Sequence, residues 1–156
     1  MSTTEEDRLF EVLAEAECRQ LLDRAGIGRL GFTDGALPAI LPVAFAVRDG
    51  HVMIPARRGS AVVSAVRGAV VAFEVDSYDG ATGTGWSVTV VGPTRLISSP
   101  GIVAALEESR SSPRPPAPDR CYIAVQFGLL RGWRLSETTA AVPTSPGPDT
   151  AAGSGR

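Results

Sequence analysis

Residues 29–55 read RLGFTDGALPAILPVAFAVRDGHVMIP, and the two Asp-Gly steps in this stretch decide the fold. Asp-Gly between apolar runs is a tight-hairpin signal, because both central positions of the favoured turn need positive φ. Thr33–Ala36 is therefore expected to join a strand over Arg29–Phe32 to a long one over Leu37–Val47. Asp49-Gly50 then returns the chain through a third strand over His51–Pro55. The middle strand is apolar on both faces, with Leu41, Val43, Phe45 and Val47 on one and Ile40, Pro42, Ala44 and Ala46 on the other. Such a strand must be covered twice, by a barrel interior on one side and by another element or subunit on the other.

Working outward, the first twenty-five residues carry apolar positions at helical spacing and are expected to form a helix stopped by Gly26 and Gly28. Downstream, Ser60–Arg67 has helical spacing and Val70–Val75 reads as a strand. Asp76–Gly85, with its glycines and turn formers, reads as a loop. Trp86–Ser98 is a second long strand with a bend expected at Gly92-Pro93. A short helix over Ile102–Glu108 and a proline-rich connector over Ser111–Asp119 lead to a returning strand over Cys121–Leu135. Past Ser136 the composition cannot build a core, so one domain over 1–136 and a disordered tail over 137–156 are expected. Strands joined mostly by hairpins, with no repeated βαβ unit, argue for a mainly β, antiparallel barrel with peripheral helices.

Composition removes whole classes of chemistry. At 156 residues the chain has the size of one domain. Fifteen basic against seventeen acidic residues give a net charge of -2, so neither nucleic acid nor an anionic membrane is an expected partner. No apolar run approaches the roughly 20 residues of a membrane span, and a cytoplasmic location is expected. The chain has no lysine, which excludes a lysine Schiff base and a P-loop lysine. His51 is the only histidine, which excludes multi-histidine metal centres, and no metal is expected. Cys18 and Cys121 read as reduced structural thiols.

The segment richest in chemistry is Ile54-Pro-Ala-Arg-Arg-Gly-Ser-Ala-Val62. A strand ends in Arg57 and Arg58, Gly59 lets a ligand approach the backbone, and Ser60 occupies a helix N-cap. Guanidiniums beside a helix start suit a phosphate or another anion. On spacing alone, a capped surface helix with two solvated arginines is the favoured reading. Gly80–Gly85 lacks the spacing of a dinucleotide loop. Trp86 suits the core, an interface or the wall of an aromatic ligand. Glu74 and Asp76 share one strand face and read as a solvated or ion-paired surface; His51 reads as a rim residue. No constellation identifies a catalytic side chain.

Taken in order, several strings resemble the pyridoxamine 5'-phosphate oxidase-like family with its flavin-binding split barrel, especially its small nitroimidazole-resistance and deazaflavin-linked members. They are Gly28-Arg-Leu-Gly-Phe32, Pro38–Phe45, Asp49-Gly-His-Val52, Gly59-Ser60, Val71-Ala-Phe-Glu-Val-Asp76 and Gly85-Trp-Ser-Val-Thr-Val-Val-Gly92. The resemblance covers about residues 8 to 135. It implies a six-stranded split barrel, a homodimer, and a flavin in grooves between the subunits. It also implies that Arg57, Arg58 and Ser60 take the phosphate of FMN, that Ile54 and Val62 line the approach, and that Trp86 walls the ring. The activity implied is a flavin-dependent oxidoreductase acting on a small organic substrate. A deazaflavin-dependent reductase and a non-enzymatic ligand-binding barrel are the alternatives. The chain departs from the family string Arg-Thr-x-x-Gly-Ser-Lys at Pro55, Ala56 and Ala61, and from Gly-Arg-Arg at Gly132-Trp-Arg134.

Overall fold

A computed structural model describes residues 10–110 and 117–136, so the tail expected over 137–156 lies outside the described residues. Among the described residues nine strands and three helices follow one another. They are β1 (Phe10–Val12), α1 (Glu15–Arg24), β2 (Ile27–Asp34), β3 (Leu37–Ala44), β4 (Ala46–Arg48), β5 (His51–Arg57) and α2 (Ala61–Val66). After them come β6 (Val70–Asp79), β7 (Thr84–Ile97), α3 (Pro100–Glu108), β8 (Arg120–Gln126) and β9 (Leu129–Leu135). All ladders are antiparallel, in the order β3-β2-β6-β7-β8-β5-β4, with β9 between β7 and β1.

Both Asp-Gly hairpins form where the sequence places them. Leu37 pairs Asp34 across the first turn, and His51 pairs Arg48 across the second, where Asp49 and Gly50 both have positive φ. The long strand expected over Leu37–Val47 is interrupted at Phe45. Its first part pairs β2 and its last part pairs β5, so Phe45 marks the crossing from one half of the barrel to the other. No ladder among the described residues joins β3 to β4 or β5, and the barrel is split along this seam. Phe45 fills it by packing edge-to-face on Phe73, with ring centroids 4.7 Å apart.

β7 is the hinge of the architecture. One of its edges pairs β6 from Thr84 to Pro93. The other pairs β9 up to Val91 and β8 from Thr94, so the hand-over falls at the expected Gly92-Pro93 bend. A Cβ on Gly92 would crowd the carbonyl group of Gln126 and stand 3.1 Å from the Gly128 nitrogen. Only glycine lets the β8–β9 corner approach this closely.

Besides the break at Phe45, the sequence reading differs from the structure in three places. Of the helix expected over the first twenty-five residues, residues 1–9 lie outside the described residues, helix follows from Glu15, and Phe10–Val12 is instead a strand paired with Trp133–Leu135. The free edge of β9 offers those backbone groups partners that outweigh a helical apolar spacing. The loop expected over Asp76–Gly85 shrinks to a turn, because ten consecutive pairs, from Val70↔Pro93 to Asp79↔Thr84, carry the ladder through the weak strand formers. The returning strand is divided at Phe127-Gly128 into β8 and β9. Six implied strands thus become nine, within the same antiparallel architecture.

Alternation sorts the β5 and β8 side chains. Val52, Ile54, Cys121, Ile123 and Val125 face the barrel interior, which Val63 and Val66 of α2 close at one end. Met53, Tyr122 and Ala124 face outward and are covered by α3 through Leu106. Cys18 and Cys121 are buried free thiols. The outer wall of β3 has no such cover, leaving Ile40 71% exposed, while Leu37, on the opposite face at the start of the strand, is 72% exposed.

Candidate functional site

The strand end and helix start singled out from sequence form a corner. β5 ends at Arg57, and Gly59, with φ of 75°, turns the chain into α2. The Ser60 hydroxyl accepts a hydrogen bond from the Val63 amide at 3.4 Å and so caps α2. The two arginines diverge. The Arg57 side chain is 75% exposed, with Asp119 at 3.9 Å. Arg58 turns the other way, donating from Nη2 to the Ser98 carbonyl at 2.9 Å. Ile54 lies inside the barrel at 2% exposure, and Val62 packs half-buried against the same core. The corner therefore offers an anion one solvent-facing guanidinium and the first-turn amides of α2, which no helical carbonyl reaches.

Arg58 instead borders a cavity of about 550 Å³ beneath α3. Its apolar wall comes from Pro100, Val103 and Ala104, and Arg120 supplies a second guanidinium. Next to it, Glu107 Oε1 accepts the Tyr122 hydroxyl at 2.5 Å and lies 3.5 Å from Arg120 Nε and 3.8 Å from Arg110 Nη1. Both of those guanidinium nitrogens are buried and reach no hydrogen-bond partner among the described residues. Burial, and then the bond to Glu107, push the Tyr122 phenol up to about 12. Burial raises the Cys121 thiol as well, with Arg58 pulling it back down. Sequence reasoning missed Arg120 because its place depends on the register Arg57↔Arg120, which no local pattern announces.

Trp86 belongs to a different region. On the outer face of the sheet, Phe10, Leu135, Gly85 and Tyr78 are successive register partners across β1, β9, β7 and β6. Trp133 opposes Ser87 in the next row. These residues and Trp86 line a hollow of about 240 Å³ with Asp76 at its edge. Gly85 forms its floor, and a Cβ there would stand 3.2 Å from Tyr78 Cδ2. Both tryptophans of the chain meet at this hollow, while Trp86 also packs on the barrel core. Reading 76–85 as a loop concealed the position of Tyr78; the alternation of β9 was the available signal for Trp133.

Glu74 and Asp76 do share a face, and Arg29 bridges them at 3.3 and 3.2 Å. Ser87 donates to Glu74 at 3.2 Å. Burial, then the neighbouring Asp76, raise the Glu74 carboxyl above its ordinary range, against the pull of Ser87 and Arg29. This is an ion-paired surface of the kind expected from sequence. His51 lies at the rim with Nδ1 2.8 Å from the Asp49 carbonyl oxygen. Among the described residues no group of His, Cys, Asp and Glu gathers as metal ligands. No helix among them is long and apolar enough to cross a membrane.

A single chain does not bring the arginine corner and Trp86 together. Trp86 stands at the start of β7 and Ser98, the partner of Arg58, just past its end. The strand between them is about 40 Å of chain at about 3.3 Å per residue, bent once. The cavity and the hollow share no lining residue.

An antiparallel barrel split at one seam, with helices packed around it, is the class of protein this architecture defines. The chain belongs to the pyridoxamine 5'-phosphate oxidase family, whose model matches residues 14–124. It is similar to the FAD binding protein of Mycobacterium smegmatis, at 27% identity and a TM-score of 0.65 over 81% of this chain and 98% of that one. A likeness of fold alone extends to a putative 5-nitroimidazole antibiotic resistance protein of Bacteroides thetaiotaomicron, at 11% identity and a TM-score of 0.68 over 81% and 89% of the two chains. The uncharacterized protein Rv0080 of Mycobacterium tuberculosis is 44% identical over 93 residues, covering 56% of this chain. This chain spans 61% of the length of that relative.

Proposed function

We propose that this protein is a flavin-dependent oxidoreductase acting on a small organic substrate, with FMN as cofactor in a site shared by two copies of the chain. The observation that carries this reading is the likeness, across almost the whole barrel, to a protein described as binding FAD. The geometry supplies a consistent arrangement. Arg57 and the first turn of α2, held by the Ser60 cap, grip the phosphate. The aromatic hollow around Trp86 lies at the far end of β7, so the ring wall comes from the other copy. Exposed Ile40 on the outer face of β3 gives a second copy an apolar residue to cover. Ile54 and Val62 pack behind the corner and hold it rigid.

When bound, a flavin supplies the hydride chemistry itself. The chain contributes position: a guanidinium for the phosphate, aromatic faces for the ring, and a site closed to water between two barrels. The fit at the corner is lean, because Pro55, Ala56 and Ala61 offer no polar side chain beside it. That leanness favours a second reading, a deazaflavin held as a dissociable cosubstrate on the same surface.

Titration of the purified protein with FMN, FAD and a deazaflavin tests both readings. FMN that survives desalting at one per chain supports the first. A colourless protein that quenches deazaflavin fluorescence with micromolar affinity supports the second. A stable dimer that binds none of the three at micromolar concentration overturns the oxidoreductase reading and leaves a ligand-binding barrel.

A further inference from the structure

The cavity beneath α3 lies outside the proposed flavin site and has the features of a small-molecule site in its own right. Its volume of about 550 Å³ falls within the roughly 300–1,000 Å³ typical of such sites. One wall is apolar, formed by Pro100, Val103 and Ala104. The opposite side carries Arg58, anchored through Ser98, and Arg120. Buried guanidinium groups are normally satisfied, yet Arg120 Nε, like Arg110 Nη1, finds no hydrogen-bond partner among the described residues. The single Glu107 carboxylate is shared between these two arginines and the Tyr122 hydroxyl.

Charge and shape together select the ligand. Arg58 and Arg120 line the cavity beside Glu107 and Glu108, and Arg110, outside the lining, shares Glu107 with Arg120, so that one carboxylate is divided between two guanidiniums. Guanidiniums only partly matched by carboxylates suit a single negative charge better than two, and a planar carboxylate suits the guanidinium fork. The apolar wall suits a hydrocarbon body. We infer that the cavity beneath α3 binds an organic acid, with its carboxylate on Arg58 and Arg120 and its apolar body on Pro100, Val103 and Ala104.

The probe is octanoate, titrated calorimetrically into the full-length protein, with hexanoate, acetate and octanamide alongside. Octanoate binds with a stoichiometry of one per chain. Each methylene removed weakens binding roughly fourfold. Octanamide, equal in length but neutral, binds at least about tenfold more weakly, as loss of a charge-assisted contact requires. Arg58→Gln produces a similar loss for octanoate. Ala104→Trp, at an exposed position of α3, fills the cavity and abolishes octanoate binding while FMN titration and melting temperature stay unchanged. If Arg58→Gln fails to fold, Ala104→Trp carries the test alone.

Three results overturn the inference: equal affinity for octanoate and octanamide, undiminished binding by Ala104→Trp, or displacement of octanoate by saturating FMN. The last would assign the cavity to the cofactor. Failure of the flavin reading is a separate result, because octanoate binding is measured on flavin-free protein.

Discussion

The close approach inside the barrel between Gly28 of β2 and the ring of Phe73 makes a quantitative prediction. A Cβ on Gly28 would overlap the Phe73 ring edge, standing 2.6 Å from Cε2, and would meet the Glu74 carbonyl oxygen at 3.0 Å. Phe73 is fully buried and locked edge-to-face against Phe45, so its ring has nowhere to retreat. Gly28→Ala is therefore expected to cost about 1–3 kcal/mol of overpacking strain, less the roughly 0.5–1 kcal/mol that alanine returns by restricting the unfolded chain. Phe73→Leu alone leaves a void and costs about 1–3 kcal/mol, less than complete truncation. In the double variant the smaller side chain makes room for the new methyl. The two changes together should then be milder than their sum by about 1 kcal/mol or more. Recovery stays incomplete, because leucine does not relieve the contact with the Glu74 carbonyl. Urea unfolding of all four proteins, followed by tryptophan emission at one fixed protein concentration, measures the cycle. Additivity within about 0.5 kcal/mol would refute the packing of Phe73 against β2 and, with it, the way the seam is filled.

The remaining predictions concern charge and assembly. Arg57→Ala lowers FMN affinity by about 10- to 100-fold, the loss of a charge-assisted phosphate contact, while the melting temperature holds; equilibrium dialysis reads the first and calorimetry the second. On the proposed two-copy site, the unchanged chain sediments as a dimer, whereas Ile40→Asp sediments as a monomer and loses flavin binding with it. Glu74→Gln tests the acidic pair. Because burial and Asp76 raise the folded Glu74 carboxyl, its contribution to stability is complete below the unfolded value of about 4.3. That contribution is lost as pH rises through the higher folded value. The variant should therefore match the wild type near pH 4 and melt above it at pH 7; a variant less stable at pH 7 would show that the Arg29 bridge outweighs the repulsion.

The two hairpins of residues 29–55 were legible because Asp-Gly is both a local and a sufficient signal: the turn needs its φ values whatever surrounds it. Gly92-Pro93 was legible for a similar reason, since neither residue suits the middle of a regular ladder. Misreadings arose where distant pairing overruled local preference. Phe10–Val12 becomes a strand only because β9 stands free beside it, and Ser77–Asp79 remains extended only because Thr84–Trp86 lies opposite. The same division governs the candidate sites. Arg57 and Ser60 are neighbours in sequence and were found. Arg58 and Arg120 meet only through the β5–β8 register, and Trp86, Trp133, Tyr78 and Phe10 only through four adjacent strands. The divergence of Arg57 from Arg58 is what alternation gives, since successive side chains leave a strand on opposite sides.

The interruption at Phe45 gives the barrel a wall of uneven strength. Among the described residues the sheet is stitched strand to strand by amide-to-carbonyl ladders, but no ladder crosses this line, where Phe45 with its ring against Phe73 acts as a clasp. β7, continuous through both halves, then serves as the spine of a half-closed book. Thermal breathing concentrates at the clasp, so backbone protons beside Ala44 and Ala46 exchange with solvent sooner than those of Val88 and Val90. A second copy laid across β3 would press the covers shut, making assembly and the tightness of the interior a single event.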